Sequence, residues 1–217
     1  MDGGSAMKQV IYLCLLVITL TGCSFNDEKS AAAKTNEGNT IPSYYDGYIL
    51  NPQVSDDRLL QEIGQFSRDH RGELTVKGLE NNSHTYKIDS IELTIKETKL
   101  LHYKPDYSLI DFYHSYTHEP EFDFVKVFVE IKNTSNQPLK FAPIAILHTN
   151  SGEKKTFEDD IYLEELNGEI AGNSTKKGNL GFIIENSDVD SIEITTSDVF
   201  DGMDRKLNSG EKFEISF

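Results

Sequence analysis

The segment from Leu101 to Phe124, LHYKPDYSLIDFYHSYTHEPEFDF, gathers the side chains of this chain best suited to chemistry. It holds His102, His114 and His118, the acids Asp106, Asp111, Glu119, Glu121 and Asp123, and Tyr103, Tyr107, Tyr113 and Tyr116. His114 and His118 stand four apart. On a helix they would share one face and could grip a metal ion, with Glu119 or Glu121 adding an oxygen. Two features weaken that reading. Pro120 follows closely, and Ser115 stands where the H-E-x-x-H zinc pattern has its glutamate. The four tyrosines suit another task, because phenol rings offer contact area at low entropic cost. They are the expected ligand- or partner-contacting surface. The plainer alternative is a loop whose rings pack on a domain edge while its histidines and acids are solvated.

Elsewhere the chemistry is thinner. Asp159-Asp160, Glu164-Glu165 and Asp188 with Asp190 are paired acids, but none sits in a D-x-[DN]-x-[DN]-G loop with a downstream glutamate, so calcium is not expected. There is no G-x-S-x-G elbow, no glycine-rich phosphate loop and no dinucleotide fingerprint. No enzyme and no cofactor are therefore expected. The 217 residues carry 21 Lys+Arg against 36 Asp+Glu, a net charge of −15. Nucleic acid is a poor partner for such a chain, because phosphates need Lys and Arg to replace their counterions. Two cysteines cannot build a disulfide scaffold or a cysteine-rich zinc site.

One of those cysteines has chemistry of a different kind. Lys8 precedes the uncharged, mostly apolar run Val10 to Leu20. Eleven helical residues reach about 16 Å, roughly half of a bilayer's hydrocarbon core, which suits a signal-peptide apolar region and not a membrane span. Leu20-Thr21-Gly22-Cys23 follows directly and resembles the lipobox of bacterial lipoproteins. That resemblance implies cleavage before Cys23 and a diacylglycerol on its sulfur, anchoring the protein to a membrane. Cys14 would leave with the signal peptide, so the mature chain would keep no free thiol and a net charge still at −15. Met1 to Ala6 precedes Met7, which reads as the start, and is set aside.

The elements that must position these groups follow from composition and period. Residues 1–22 read as the signal peptide. Residues 23–43 read as the lipid-bearing cysteine and a flexible tether of small polar residues, with a reach of about 25 Å. Residues 44–85 read as an N-terminal extension. Within it Ser55 looks like an N-cap, and Leu59, Leu60, Ile63 and Phe66 fall on one helical face, which predicts a short helix from about 56 to 70. From Leu74 on the period is two. Ile91, Leu93 and Ile95 alternate with polar residues, as do Val125, Val127, Val129 and Ile131, Ile192 and Ile194, and Phe213, Ile215 and Phe217. Half-buried antiparallel strands carry that pattern, apolar inward and polar outward, which places Lys126 outward. Turn signals at 133–136, 150–152, 171–173 and 208–210 separate the strands. The expected fold is mainly β: an immunoglobulin-like antiparallel β-sandwich over 86–217, with a small β-barrel as the alternative.

The run V-K-V-F-V-E-I-K-N-T-S-N from Val125 to Asn136 is a recognisable pattern. Gly172 and Gly178 then precede Leu180-Gly181-Phe182-Ile183-Ile184. With the lipobox, these motifs resemble bacterial surface lipoproteins carrying a telokin-like, immunoglobulin-like domain of unknown function, over about residues 86 to 217. The resemblance implies a sandwich outside the membrane and carries over no catalytic residue. The segment 101–124 looks like an insertion relative to it. Together these readings predict a lipid-anchored extracytoplasmic binding or interaction module, its partner a protein or small molecule of unknown identity. The alternative is a metal-handling or sensory lipoprotein using His114 and His118. Abundant Asn, Lys, Ile and Tyr suggest an AT-rich source, favouring the outer face of a Gram-positive cell membrane.

Overall fold

The computed structural model describes residues 39–217. The signal peptide, Cys23 and nearly all of the tether lie outside the described residues. The rest is built almost wholly of antiparallel strands. The central sheet holds β1 (Phe66–Asp69), β2 (Gly72–Glu80), β3 (His84–Ile88), β4 (Ile91–Pro105), β5 (Phe122–Asn133) and β10 (Thr175–Ile184). Its order is β1-β2-β4-β5-β10, with β3 also paired to β4. Two four-stranded sheets complete the body. One joins β7 (Ile146–Thr149), β8 (Lys154–Thr156), β11 (Ser191–Thr195) and β14 (Lys212–Ser216); the other joins β6 (Leu139–Phe141), β9 (Gly168–Ile170), β12 (Val199–Asp201) and β13 (Lys206–Asn208). These open sheets form a β-sandwich and not a closed barrel.

The main core lies between the central sheet and the smaller two. Val125, Val127, Val129 and Ile131 of β5 pack there with Leu180 and Phe182 of β10, against Phe141, Leu147, Ile192, Ile194 and Ile215. This is the apolar half of each expected alternation. The other face of the central sheet is covered too, which the period-two pattern did not predict. There Leu74, Val76, Leu101, Tyr103, Phe122 and Phe124 pack with Val54, Leu60, Tyr113, Ile161 and Tyr162.

A β-bulge between Ile95 and Glu97 decides what reaches this second face. Before it, Ile91, Leu93 and Ile95 point into the main core. A bulge adds one residue and so inverts the parity of everything downstream. After it, Leu100 faces the main core, while Leu101 and Tyr103 join the second cluster. Glu97 pairs with Phe128 and Lys99 with Lys126, on the same face as Phe122 and Phe124.

The cover over this face is residues 39–65, an irregular strap with one 3-10 turn at Ser43–Tyr45. The helix expected over 56–70 does not form. Ser55 donates to Asp69 Oδ1 at 2.8 Å and to the Gly72 carbonyl at 3.0 Å instead of capping a helix. Gly64 has φ 86, outside the helical region. Phe66 to Asp69 then pair with β2 across a tight turn. The short α-helix is elsewhere, α1 (Ile110–Tyr113). The expected boundary at residue 85 is also corrected: β1, β2 and β3 are hydrogen-bonded members of the central sheet, so no separate extension ends there.

Candidate functional site

The segment rich in histidine and tyrosine divides into two parts. β4 runs on to Pro105 and β5 begins at Phe122, so Tyr103 belongs to a strand and only 106–121 bridges the two. Asp106 starts that bridge by accepting from the Ser108 N–H at 3.0 Å. Tyr103 and Tyr113 are buried and correct the expected tyrosine surface. Their rings meet edge to face, with centroids 5.6 Å apart. Tyr103 donates to the Arg71 carbonyl at 2.6 Å, and Tyr113 donates to the Gln53 carbonyl at 2.8 Å. These two rings pin α1 and the strap to the sheet. Tyr107 is 87% exposed and Tyr116 is half-buried, so these two remain available for contact.

His114 caps α1, and His118 lies beyond the helix in an exposed turn. Their ring centroids are 6.2 Å apart. Among the described residues, no group of three or more His, Cys, Asp or Glu is placed to hold a metal ion. Helical spacing was the premise of the metal reading, and the helix ends one residue before His114.

Tyr116, His118, Glu119 and Glu121 instead form one wall of a cleft of about 890 Å³. The central sheet supplies its floor with His102 and Asp123, which are register partners on β4 and β5. Lys77 comes from β2, and Ile184, Glu185 and Ser187 close the far side. Asp123 is the organising group. Lys77 Nζ donates to its Oδ2 at 2.6 Å, and His102 Nδ1 lies 2.7 Å from its Oδ1. Burial opposes its charge, but the bonds from Lys77, Ser187 and His102 prevail and hold the carboxyl below its usual range. The opposite rim is fixed by Glu153, whose carboxylate accepts the backbone N–H groups of Glu185 and Asn186. The cleft thus presents fixed groups of both signs with an aromatic edge, a composition suited to orienting a polar ligand.

Sequence reasoning missed a second cluster of ionisable groups, under the strap. Asp57, Glu97, Lys99 and Lys126 are all buried. Lys126 Nζ lies 2.5 Å from Asp57 Oδ2 and 3.2 Å from Glu97 Oε1. Lys99 Nζ lies 2.9 Å from Asp57 Oδ2 and 3.0 Å from Glu97 Oε1. Tyr45 donates to Glu97 Oε1 at 2.7 Å, and Tyr44 donates to Oε2 at 2.8 Å. Two cations therefore face two anions out of water. Burial pushes against both carboxylates, yet the two lysines hold Asp57 and Glu97 below their usual range. Lys126, placed outward by alternation, was legible in one respect. Phe124 and Phe128 stand two residues to either side of it and so share its face, which marks that face as covered.

The strap is fastened further along by Glu164. Tyr48 donates to Glu164 Oε1 at 2.6 Å, Asn51 Nδ2 donates to the same oxygen at 3.0 Å, and the Asn179 N–H donates to Oε2 at 2.8 Å. A shallower groove of about 530 Å³ between residues 47–53 and 162–164 follows this seam.

This open-sheet β-sandwich, with its covered second face, falls in a family described as a domain of unknown function, DUF4352. The family pattern matches residues 63–206, and the chain belongs to that family. The match starts within the strap and takes in β1 to β3, in keeping with the sheet. A protein of Bacillus subtilis (strain 168), described as uncharacterized protein YdhF, is 42% identical over 236 aligned positions, covering 97% of this chain and 100% of the relative. Among solved structures, a functionally unknown protein from Listeria monocytogenes EGD-e superposes with a TM-score of 0.50 at 17% identity, over 67% of this chain and 87% of that one. That likeness concerns the fold alone. Among the described residues, no helix is long and apolar enough to cross a membrane.

Proposed function

We propose that the protein is a lipid-anchored extracytoplasmic binding module, its anchor at Cys23 and its immunoglobulin-like sandwich presenting the cleft between the 116–121 turn and β10. The observation that carries the reading is the cleft itself: about 890 Å³, floored by an Asp123 that Lys77 and His102 hold in place. Fixed charges in a concave site select ligands by orientation, since their partners are already positioned. Asp123 is already satisfied by Lys77 and His102, which favours a binding role for the cleft. Tyr116 and His118 on the rim and Tyr107 nearby on the same connection are the contact side chains, and the lipid at Cys23 is the membrane partner.

The test is retention from solubilised envelope on the immobilised protein. It compares wild type with a chain carrying Tyr107→Ala, Tyr116→Ala and His118→Ala. These side chains are exposed or half-buried, so the fold survives their loss. Wild type retains a species that the triple variant does not. Equal retention by both contradicts the cleft assignment. Cys23→Ala separates anchor from cleft, because it abolishes incorporation of labelled palmitate and leaves retention unchanged.

A further inference from the structure

We infer that Lys126 and Asp57 condense to an intramolecular amide that bonds the strap covalently to the central sheet. The two side chains are in contact, Nζ to Oδ2 at 2.5 Å, and both are buried away from water. Holding an amine against a carboxyl in fixed geometry supplies a very large effective concentration, and exclusion of water favours the side that releases it. A buried ion pair is also costly to maintain, and the amide removes two charges at once.

The remaining groups meet the needs of the reaction. Glu97 Oε1 lies 3.2 Å from Lys126 Nζ and accepts from Tyr45, whose hydroxyl oxygen in turn accepts from Lys126 Nζ at 2.7 Å. Glu97 therefore takes a proton from the ammonium, leaving a neutral amine, and passes it to the Asp57 carboxyl. The amine nitrogen attacks Cγ, and the Nζ–Cγ bond forms. The Cγ–O bond breaks, and that oxygen leaves as water with the two protons that the ammonium gives up. No oxidant, cofactor or activating group is consumed. Lys99 Nζ lies 2.9 Å from Asp57 Oδ2 and so stabilises negative charge on the carboxyl oxygen as the tetrahedral intermediate forms. Lys99 is also held by the Asp57 main-chain carbonyl at 2.9 Å and stands farther from Oδ2 than Lys126 does, which leaves Lys126 as the nucleophile. Charge balances before and after. Two lysines face two acids at first; afterwards Lys99 faces Glu97 at 3.0 Å.

The consequence is mechanical. The strap is the part of the described chain nearest the expected anchor, and an amide at residue 57 would carry tension from the tether straight into β5. Intact-mass measurement of the purified, denatured protein tests the inference, together with peptide mapping. The expected result is a deficit of one water from the sequence mass and a branched peptide joining the segment around Asp57 to the segment around Lys126. Lys126→Arg and Glu97→Gln both show linear peptides only and no deficit. A wild-type mass without the deficit, with linear peptides throughout, overturns the inference whatever the variants do. A deficit that persists in Lys126→Arg overturns the assignment of the nucleophile.

Discussion

Buried charges at single positions decide how this fold responds to change. Removing Asp57 leaves Lys99 and Lys126 facing only Glu97 beneath the strap. Loss of one member of such a cluster strands an uncompensated charge, worth about 3–5 kcal/mol. Asp57→Ala also removes the inferred amide to Lys126 and is therefore expected to lower unfolding stability by at least that amount, read from urea denaturation. Asp160 behaves in the opposite sense to most acids. It accepts the N–H groups of Gly181, Tyr162 and Leu163, and among the described residues no cation pairs with it. Burial prevails, with a smaller push from Glu164, and lifts its carboxyl to about 6. A raised carboxyl binds its proton more tightly when folded than when unfolded. Its cost is absent below about pH 4, grows as pH rises to about 6, and then stays constant, reaching about 3 kcal/mol. The stability of wild type relative to Asp160→Asn should thus fall between about pH 4 and 6 and stay level above. A difference that is flat across that window contradicts the assignment. Little of this was readable in the sequence. Asp57 looked like a helix-start acid, and nothing nearby in the chain announces lysines more than forty positions away.

At the scale of elements, strand periodicity was readable because a face packed on a core needs apolar residues at every second position. That logic located β4, β5, β11 and β14. It failed where a bulge inverted the parity after Ile95, and where both faces of the central sheet are covered. It failed again at 56–70, where local helical spacing lost to pairing of β1 with β2 and to the positive φ of Gly64. The strap has few backbone bonds of its own, so its docking rests on side chains. Tyr48 donates to Glu164 at 2.6 Å and accepts from Asn179 Nδ2 at 2.7 Å. Tyr48→Phe removes both bonds, leaving Glu164 Oε1 to Asn51 alone and taking from Asn179 Nδ2 its acceptor, a loss of about 1–3 kcal/mol. Hydrogen exchange should accelerate at the amides of 44–51 and stay unchanged in β5. Uniform exchange across the variant would mean that the strap is held by other contacts.

For the whole molecule, the net charge of −15 acquires a direction. An acidic body is repelled by anionic headgroups, so a lipid at Cys23 would hold it near a membrane without laying it flat. The strap then becomes the joint between tether and sandwich, and the cleft lies on the sheet that the strap grips. Of this arrangement the sandwich was readable in the sequence, because alternation is a local pattern, while the proposed anchor falls outside the described residues. The cleft was half legible. His102, Tyr116, His118 and Asp123 were singled out, whereas Lys77 and Ser187 join them only through the pairing of β2, β4, β5 and the end of β10.

Photo-crosslinking in intact cells asks whether the cleft is the binding surface, with the reactive side chain placed at residue 118 in the cleft or at Lys206 on β13 as a control. A discrete crosslinked species is expected at position 118, absent at 206 and lost when Tyr116 is changed to Ala. Identical crosslinking at both positions, or none at 118 in cells where the protein is anchored, would contradict the cleft assignment.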